Sequence, residues 1–440
     1  MVAAMVLTPK FFVFLAFGFL PIVAGAVDAR LFWVGLAYDA GVVAVAAIDF
    51  ALLRRRAGLR LKREVPSVVS IGVPFDVVIE MENTTTRPMR VRIKDTPPIA
   101  FEVPTRSFTI ELPPLVPRTR SYPARANQRG TFEFEELFYR VRGVTGLCEA
   151  QGKVDAQTTV KVYPNVKNLS LVELAIAQSS QMQLGLRATR VSGEGREFES
   201  LRPYVHDDDY RWIDWKATAR RSQLISREFE AERNQRLLIL LDVGRLMAPK
   251  VGDFRKLDYA VNAAAMLSQV GLMKGDLVGL QVFSNEIVRY LPPERGRGQF
   301  VQIVETLFQI QPQRFESDYA VAFAHAARRN SRRSLLVCFT DLLDSESSRA
   351  LIASMLRLAP KHLPMCVTLS DSDLLAARQQ TPETPLDVFE KVAATEVWED
   401  YKRAIGLLEG RGVTVVHVPA HELTTATINQ YLRIKSRGLL

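Results

Sequence analysis

Two apolar stretches open the chain and stop abruptly at a run of arginines. Residues 11–27 carry no charge, and residues 31–53 are apolar apart from Asp39 and Asp49. The length of each stretch is close to the about 20 residues that a membrane-spanning helix needs. Only three residues separate the two stretches, which predicts a transmembrane helical hairpin over residues 1–56. Asp39, in the middle of the second span, is either a functional polar group or a contact with the other helix or a partner.

The first stretch also has features of a cleaved signal peptide, because Lys10 precedes it and residues 24–26 read Ala-Gly-Ala. The second apolar stretch directly after it favours the hairpin. Residues 54–56 are all arginine, and the positive-inside rule keeps such residues in the cytoplasm. We therefore expect a multi-pass protein of the bacterial inner membrane whose soluble domains face the cytoplasm.

Beyond the arginines the apolar pattern changes to a period of two. Residues 75–81 and 89–93 alternate apolar with mostly polar side chains, which is typical of half-buried antiparallel strands. The intervening residues 83–88 are predicted to form a hairpin loop. Further strand-like runs lie at residues 107–112, 131–141 and 158–163. We expect an all-β immunoglobulin-like sandwich over residues 57–166, without a nucleophile, metal cluster or phosphate loop.

Residues 167–234 combine a linker with a segment that is dense in charged and aromatic side chains. The segment has no clean helix or strand period, which predicts a structured, site-forming loop with a short helix. Trp212 and Trp215 are interpreted as packing anchors. Asp214 is expected to form an ion pair with Arg211 or Arg220.

From residue 235 onward, continuous apolar runs alternate with helical stretches. The apolar runs are 237–241, 277–283, 335–339, 365–369 and 413–418. The helical stretches are 257–272, 317–329, 347–357, 388–409 and 421–435. This alternation predicts a mostly parallel, doubly wound α/β sheet over residues 235–440. Function in such sheets lies at the carboxyl ends of the strands, where Asp242 and Asp341 fall.

Charge and cysteine content narrow the classes of partner. The net charge is +9, and six basic residues lie between Arg54 and Arg63, beside the apolar stretch, which indicates anionic lipid first. Elsewhere arginines are mixed with acids, so nucleic acid is not an expected partner. Cys148, Cys338 and Cys366 are odd in number and lack a Cys-x-x-Cys pair, which argues against a disulfide framework and a zinc site.

Residues 193–220, with the aspartates that end the first and fourth strands of the α/β domain, resemble the DUF58 family of bacterial proteins. Residues 214–220 are the most diagnostic part, and the turn at 129–130 and the strand at 162–164 extend the likeness over almost the whole chain. The signature residues are Gly193, Gly195, Glu197, Phe198, Arg202, Tyr204, Asp208, Arg211, Asp214, Trp215, Lys216 and Arg220. The resemblance implies a von Willebrand A-like domain, in a family commonly encoded beside AAA+ ATPases of the MoxR type.

The resemblance also implies where a cation would bind. Von Willebrand A domains that bind Mg²⁺ usually offer Asp-x-Ser-x-Ser after the first strand, then a threonine and a last aspartate, because a hard cation prefers oxygen ligands. Here Gly244 and Leu246 replace the two serines that would follow Asp242. Ser317 or Asp318 stands for the threonine, and Asp341 for the last aspartate. Two interpretations stay open: a degenerate Mg²⁺ site, or a pocket whose aspartates cap helices or meet arginines.

We predict a membrane-anchored adaptor without enzymatic activity or resident cofactor. Its α/β domain would bind a MoxR-type AAA+ ATPase through an exposed patch near Arg245, Leu246 and Met247. None of the five histidines has a recognisable paired nucleophile, and the lone Gly193-x-Gly195 has no lysine-serine context for binding ATP.

Two further hypotheses stay open. One is a metal-dependent hydrolase that uses Asp242 with His206, Asp207, Asp208 and Asp209. It requires these ligands to converge on one ion, whereas consecutive side chains point in different directions in regular structure, and a hydrogen-bonded turn or helix cap is the alternative for that run. The other is a basic surface that binds nucleic acid or anionic lipid.

Overall fold

The structure is a computed structural model that describes residues 4–55, 58–165, 197–205, 210–221, 223–230, 235–342, 345–370 and 372–438. The chain divides into two units, Met1–Tyr163 and Pro164–Leu440. The predicted hairpin and the predicted sandwich thus belong to one unit, which ends three residues before the expected boundary at 166.

The first unit begins with a short strand and two apolar helices, β1 (Ala4–Leu7), α1 (Pro9–Ala24) and α2 (Ala29–Arg55). In the described part of the chain, the span Ala29–Leu53 is long and apolar enough to cross a membrane, with a mean hydropathy of 1.9. Helix α1 has 16 residues and is shorter than a membrane span requires. Most apolar side chains of both helices are exposed, Trp33 to 66%.

The β-rich remainder of the first unit contains eleven strands. They are β2 (Leu59–Glu64), β3 (Val68–Ser70), β4 (Pro74–Asn83), β5 (Met89–Lys94), β6 (Phe101–Glu102), β7 (Ser107–Leu112), β8 (Arg118–Ala126), β9 (Gly130–Phe134), β10 (Leu137–Arg142), β11 (Cys148–Val154) and β12 (Thr158–Tyr163). One sheet has the order β1-β11-β10-β5-β7, a second β2-β4-β8-β6, and a third β3-β12-β9. The predicted alternation is confirmed in β4, where Val77, Ile79 and Met81 are almost fully buried.

Two predictions about strand connection are wrong. Residues 83–88 join β4 to β5, which lie in different sheets, so this segment is not a hairpin loop. The run predicted over residues 131–141 is divided into β9 and β10, which also lie in different sheets. An alternating pattern reports which face of a strand is buried, and it does not report which strand lies beside it.

The helices are attached to the five-stranded sheet at one place. Strand β1 pairs antiparallel with β11, from Ala4 opposite Gln151 to Leu7 opposite Cys148. The carboxylate of Asp49, near the end of α2, accepts hydrogen bonds from the backbone N–H of Val144 (3.0 Å) and from the N–H (3.2 Å) and hydroxyl (2.5 Å) of Thr145. The turn between β10 and β11 is therefore held against the end of α2.

The second unit opens with the signature segment, in which β13 (Glu197–Pro203) pairs antiparallel with β14 (Ile225–Glu230). A short helix, α3 (Trp215–Arg221), lies between them. The short helix was predicted. The strand pair was not, because the segment lacks a clean period of two.

The α/β region follows. Its elements are β15 (Arg236–Asp242), β16 (Lys250–Val251), β17 (Phe254–Arg255), α4 (Lys256–Met273), β18 (Leu277–Phe283), β19 (Ile287–Glu294), α5 (Arg297–Gln309), α6 (Tyr319–Arg329), β20 (Leu335–Phe339), α7 (Ser345–Leu358), β21 (Leu363–Ser370), α8 (Ser372–Gln379), α9 (Pro385–Glu409), β22 (Thr414–Pro419) and α10 (Leu423–Ser436). All five predicted apolar runs are strands, and all five predicted helical stretches are helices. Elements β16, β17, β19, α5 and α8 were missed.

The α/β sheet is mixed, in the order β19-β18-β15-β20-β21-β22. Strand β19 runs antiparallel to β18, and the other neighbours are parallel. Alternate residues of β15 enter two separate cores, Leu237, Ile239 and Leu241 on one face and Leu238 and Leu240 on the other. Helices cover both faces, which is why the central strands read as continuous apolar runs.

Candidate functional site

Two acidic residues lie side by side at the carboxyl edge of the α/β sheet. Strands β15 and β20 are parallel neighbours with Leu241 opposite Phe339, so the next residues, Asp242 and Thr340, are adjacent, and Asp341 follows. All three polar side chains are about 1% exposed. Each of these buried polar groups requires a hydrogen-bonding or charged partner, and those partners determine what the site can do.

Four donors surround the carboxylate of Asp242. Oδ1 accepts from the backbone N–H of Gly244 at 2.8 Å and from the hydroxyl of Ser317. Oδ2 accepts from the hydroxyls of Thr340 at 2.6 Å and Tyr319 at 3.1 Å. An ionised carboxylate offers about four lone-pair positions. The protein itself therefore occupies the acceptor capacity of this group.

Burial is the dominant influence on the ionisation of Asp242 and raises the pKa of its carboxyl group. Hydrogen bonds from Ser317, Thr340, Gly244 and Tyr319 act in the opposite direction, because they stabilise the ionised form. The same surroundings raise the pKa of the Tyr319 hydroxyl well above its usual value, chiefly through burial. Tyr319 is consequently a neutral donor to Asp242.

Asp341 has a cationic partner within the fold. The ammonium of Lys256 lies 2.7 Å from its Oδ2, and both side chains are at most 2% exposed. Oδ1 accepts from the backbone N–H of Leu342 at 2.8 Å. Lys256 is the first residue of α4. The positive charge that a divalent cation would bring to this edge is supplied here by a lysine.

The residues named as a degenerate metal site do not all come together. Ser317 contacts Asp242, but the carboxylate of Asp318 caps α6 by accepting from the N–H of Val321 at 2.9 Å. A Cβ added at Gly244 would lie 2.1 Å from the hydroxyl oxygen of Ser317, so a serine at this position would require the Ser317 side chain to move away from Asp242. With Asp242 saturated and Asp341 neutralised, this donor set does not fit Mg²⁺. Among the described residues, no group of three or more His, Cys, Asp or Glu side chains could hold a metal ion.

Lys256 is the site residue that sequence reasoning missed. The signal was a lysine in the first turn of an otherwise apolar helix, where the helix dipole disfavours a cation. Such a placement indicates a compensating carboxylate. Tyr319 and Thr340 were also missed, since a hydroxyl beside a strand end has no sequence signature of its own.

The rim of this edge differs from the predicted patch. Met247 is fully buried, which corrects that part of the prediction, and Leu246 is half-buried. Arg245 is exposed and lies 3.7 Å from Glu316. The backbone N–H of Arg245 donates to the carbonyl oxygen of Phe315, whose side chain is 59% exposed. The exposed rim is therefore Arg245, Phe315 and Glu316.

The signature segment contributes a capped helix and an exposed aromatic. Asp214 caps α3 by accepting from the N–H groups of Lys216 (3.0 Å) and Ala217 (2.9 Å). Trp215 is 68% exposed, so its interpretation as a packing anchor is wrong. Trp212 is half-buried, and Lys216 and Arg220 are exposed. Tyr204 donates its N–H to the carbonyl oxygen of Leu224 at 2.9 Å.

The remaining signature residues are only partly described. Glu197, Phe198 and Arg202 belong to β13, and Arg211 lies in a short 3-10 turn. Gly193, Gly195 and the run His206, Asp207, Asp208 and Asp209 lie outside the described residues. The hydrolase hypothesis requires Asp242 as a metal ligand, but hydrogen bonds within the protein already engage both of its oxygens. The other ligands of that hypothesis lie outside the described residues.

Comparisons with known proteins agree with the resemblance seen in the sequence. The family model of DUF58, a protein family of unknown function, matches residues 200–373. The chain is 30% identical over 131 residues to the uncharacterized protein YeaD of Bacillus subtilis, and 26% identical over 178 residues to the uncharacterized protein Rv1480 of Mycobacterium tuberculosis. These matches cover 28% and 40% of this chain, and 31% and 56% of the two relatives. The predicted DUF58 resemblance is confirmed over the matched segment.

Among solved structures, the conserved hypothetical protein BatB of Bacteroides thetaiotaomicron is matched over its whole length and over 46% of this chain. The identity is 13% and the TM-score 0.30.

Proposed function

We propose that this protein is a membrane-anchored adaptor whose α/β region binds a protein partner at the carboxyl edge of its sheet, without catalysing a reaction and without a metal ion. The observation that carries the proposal is the internal satisfaction of both edge aspartates. Asp242 accepts four hydrogen bonds from the protein, and Asp341 is paired with Lys256.

The state of these groups favours binding over chemistry. Hydrolysis by a metal centre needs a carboxylate with free lone pairs to hold the ion, and general base catalysis needs a carboxylate that faces a reactant. Asp242 is about 1% exposed and its oxygens are engaged. A rigid, neutralised edge is a suitable support for an exposed docking rim, here Arg245, Phe315 and Glu316.

At the finer level we interpret the α/β region as a von Willebrand A-like domain in which Lys256 replaces the cation. Aspartates that end the first and fourth strands, and the serine that contacts the first of them, support this assignment. We interpret the β-rich region as an immunoglobulin-like interaction or spacer module.

The location that we propose is the bacterial inner membrane. The apolar surface of α1 and α2 is exposed in the isolated chain, and lipid would cover it. Because arginines fill positions 54–56, we infer that the hairpin has both ends in the cytoplasm and that the later domains face it.

The partner class that we propose is a MoxR-type AAA+ ATPase, and it comes from the DUF58 resemblance. The rim would supply one aromatic anchor, Phe315, flanked by the opposite charges of Arg245 and Glu316. Exposed aromatic and arginine side chains are the residues that most often dominate binding energy at protein interfaces.

The experiment is affinity purification of the tagged full chain from detergent-solubilised membranes of its host, with mass spectrometry of the recovered proteins. The rim variant is Arg245→Glu/Phe315→Ala. The matched control is Leu407→Ala/Arg411→Glu, which changes an apolar and a basic residue that are also exposed, near the end of α9. We expect the wild type and the control to recover an AAA+ ATPase. The rim variant should recover at least roughly tenfold less of this ATPase than the wild type.

A chelator arm tests the absence of a metal requirement. Because the ammonium of Lys256 is part of the chain, recovery of the ATPase should be unchanged by EDTA. Loss of the ATPase in EDTA would overturn metal independence. Equal recovery with the rim variant and the wild type would move the docking site away from the carboxyl edge, and absence of an ATPase under gentle detergent would remove the proposed partner.

A further inference from the structure

The five-stranded sheet of the first unit carries an unusual pair of like charges on its outer face. Arg140 of β10 lies directly opposite Arg92 of β5 in the antiparallel register. Lys94 lies two residues further along β5, on the same face of the sheet and opposite Phe138. The three cationic side chains are exposed, while Val91, Ile93 and Val141 between them point into the core.

These cations are not balanced by carboxylates. In the described part of the chain, Arg92, Lys94 and Arg140 take part in no ion pair, and the one side-chain hydrogen bond among them runs from Nε of Arg140 to the amide oxygen of Gln151 at 2.9 Å. Other exposed cations of the same unit do have acidic partners, as in Arg60 with Glu82. Like charges directly opposite each other destabilise a strand pair, so an anion that bridged them would remove a cost built into the fold.

The side chains on this face provide donors for an anionic group. The cations surround a depression of about 510 Å³ that is also lined by Ser107 and Phe138. Two guanidinium groups, an ammonium and a hydroxyl are the donors that recognise phosphate oxygens. The ring of Phe138 adds an apolar wall beside them, which a free inorganic phosphate would leave unused.

The location of the face identifies the source of the anion. The sheet that carries the cations is the one to which the apolar helices are attached, through β1 and through the bonds of Asp49 to the turn at residues 143–145. Arg140 is three residues from that turn, about 10 Å along the strand. Arg140 is thus about one screening length from the turn that contacts the end of α2, and Arg92 and Lys94 lie next to it and beyond it on β5.

We propose that this face, formed by Arg92, Lys94 and Arg140 with Ser107 and Phe138, binds the phosphate headgroup of an anionic phospholipid from the bilayer that holds the hairpin. The inference rests on the proposed membrane anchoring and adds a lipid specificity to it. Three cations in one depression match a single headgroup, whereas a nucleic acid requires an extended basic track. Headgroup binding would hold the sandwich at a set orientation beside the bilayer.

The test uses the full chain in nanodiscs of equal phosphatidylglycerol and phosphatidylcholine, with native mass spectrometry of the lipids that stay bound on release. The variant is Arg92→Gln/Lys94→Gln/Arg140→Gln. The control is Arg87→Gln/Arg118→Gln/Lys161→Gln, which removes the same three charges from exposed positions outside the depression. We expect the wild type and the control to retain phosphatidylglycerol preferentially. The variant should lose at least roughly threefold of that preference, and the basic residues between Arg54 and Arg63 maintain the remainder.

The failure of this inference is separable from failure of the anchor. Extraction of host membranes with alkaline carbonate tests the anchor first. If the wild type resists extraction but retains both lipids equally, or if the variant keeps the preference, the headgroup site is overturned and the anchor stands. If carbonate releases the wild type, the anchor is wrong, and flotation with phosphatidylglycerol vesicles then decides the headgroup site by the same variant pair. Binding to duplex DNA that only the first variant loses, without lipid preference, would also overturn it.

Discussion

Each unit buries an ion pair, and the two pairs are constructed differently. In the β-rich region, the guanidinium of Arg63 contacts Asp95, donates to the carbonyl oxygens of Glu135 at 2.6 Å and of Ala156, and lies 5.0 Å from the ring centre of Phe134. In the α/β region, the ammonium of Lys256 meets Asp341 at 2.7 Å at the carboxyl edge of the sheet. Both pairs are almost inaccessible to solvent.

The difference shows two uses of a buried charge. A guanidinium has five donors in a fixed plane, so Arg63 joins β2 to segments that precede β10 and β12 and acts as a structural tie. An ammonium is a compact charge, and Lys256 neutralises the aspartate that follows β20. The first pair connects strands of the β-rich region, and the second sets the charge at the carboxyl edge of the α/β sheet.

The largest effect is expected for Arg63→Met. This change leaves Asp95 buried without its cation and removes the ties to Glu135 and Ala156, which should cost about 5 kcal/mol, at the upper end for a broken buried pair. Native-state hydrogen exchange of β4 and β10 measures it. Arg60→Met is the control, because Arg60 pairs with Glu82 at the surface, and its cost should stay below about 1 kcal/mol. Similar losses for the two variants would refute the structural role of Arg63.

A smaller loss of about 3 kcal/mol, at the lower end for a broken buried pair, is expected for Lys256→Met. Exchange protection of β15 and β20 is the measurement. The double variant Lys256→Met/Asp341→Leu should recover most of the loss, because both charges leave the interior together. A double variant less stable than the single one would show that Asp341 is needed for reasons other than its charge.

The smallest expected effect is a difference between the two units in how their stability depends on pH. All five histidines lie at or beyond residue 206, so the first unit has none. Burial lowers the pKa of His417 and of His362 below the ordinary 6.5, so the unfolded chain takes up these protons first as pH falls. The contribution of these two histidines to the stability of the α/β region should therefore be full above pH 6.5 and decrease as pH drops below it.

Replacement of one histidine checks this sign. The ring of His417 lies 5.2 Å from that of Tyr401 and 6.0 Å from that of Trp398, and in the described part of the chain its nitrogens have no hydrogen-bond partner. His417→Phe should reduce the loss of exchange protection in β22 between pH 7 and 5, whereas His421→Phe, at an exposed position, should not. An equal acid-induced loss of protection in the strands of the β-rich region would contradict the contrast between the units.

Much of the fold was predictable from local pattern. Strands β15 and β20 are continuous apolar runs because both of their faces are buried. Strand β4 has a period of two because one of its faces is buried. The candidate site was predictable in position, because Asp242 and Asp341 end such runs. Its chemistry was not: Asp318 caps a helix, Met247 is buried, and Trp215 is exposed.

The sequence by itself determined the order of apolar helices, β-rich region and α/β region, and the edge at which two aspartates would meet. Only the tertiary structure decided which sheet each strand joined and which donors reached those aspartates. Ser317 and Thr340 are 75 and 98 positions from Asp242, and Lys256 is 85 positions from Asp341. Burial imposes a period on neighbouring residues and is therefore visible locally. Pairing of a buried charge joins residues that only the folded chain brings together.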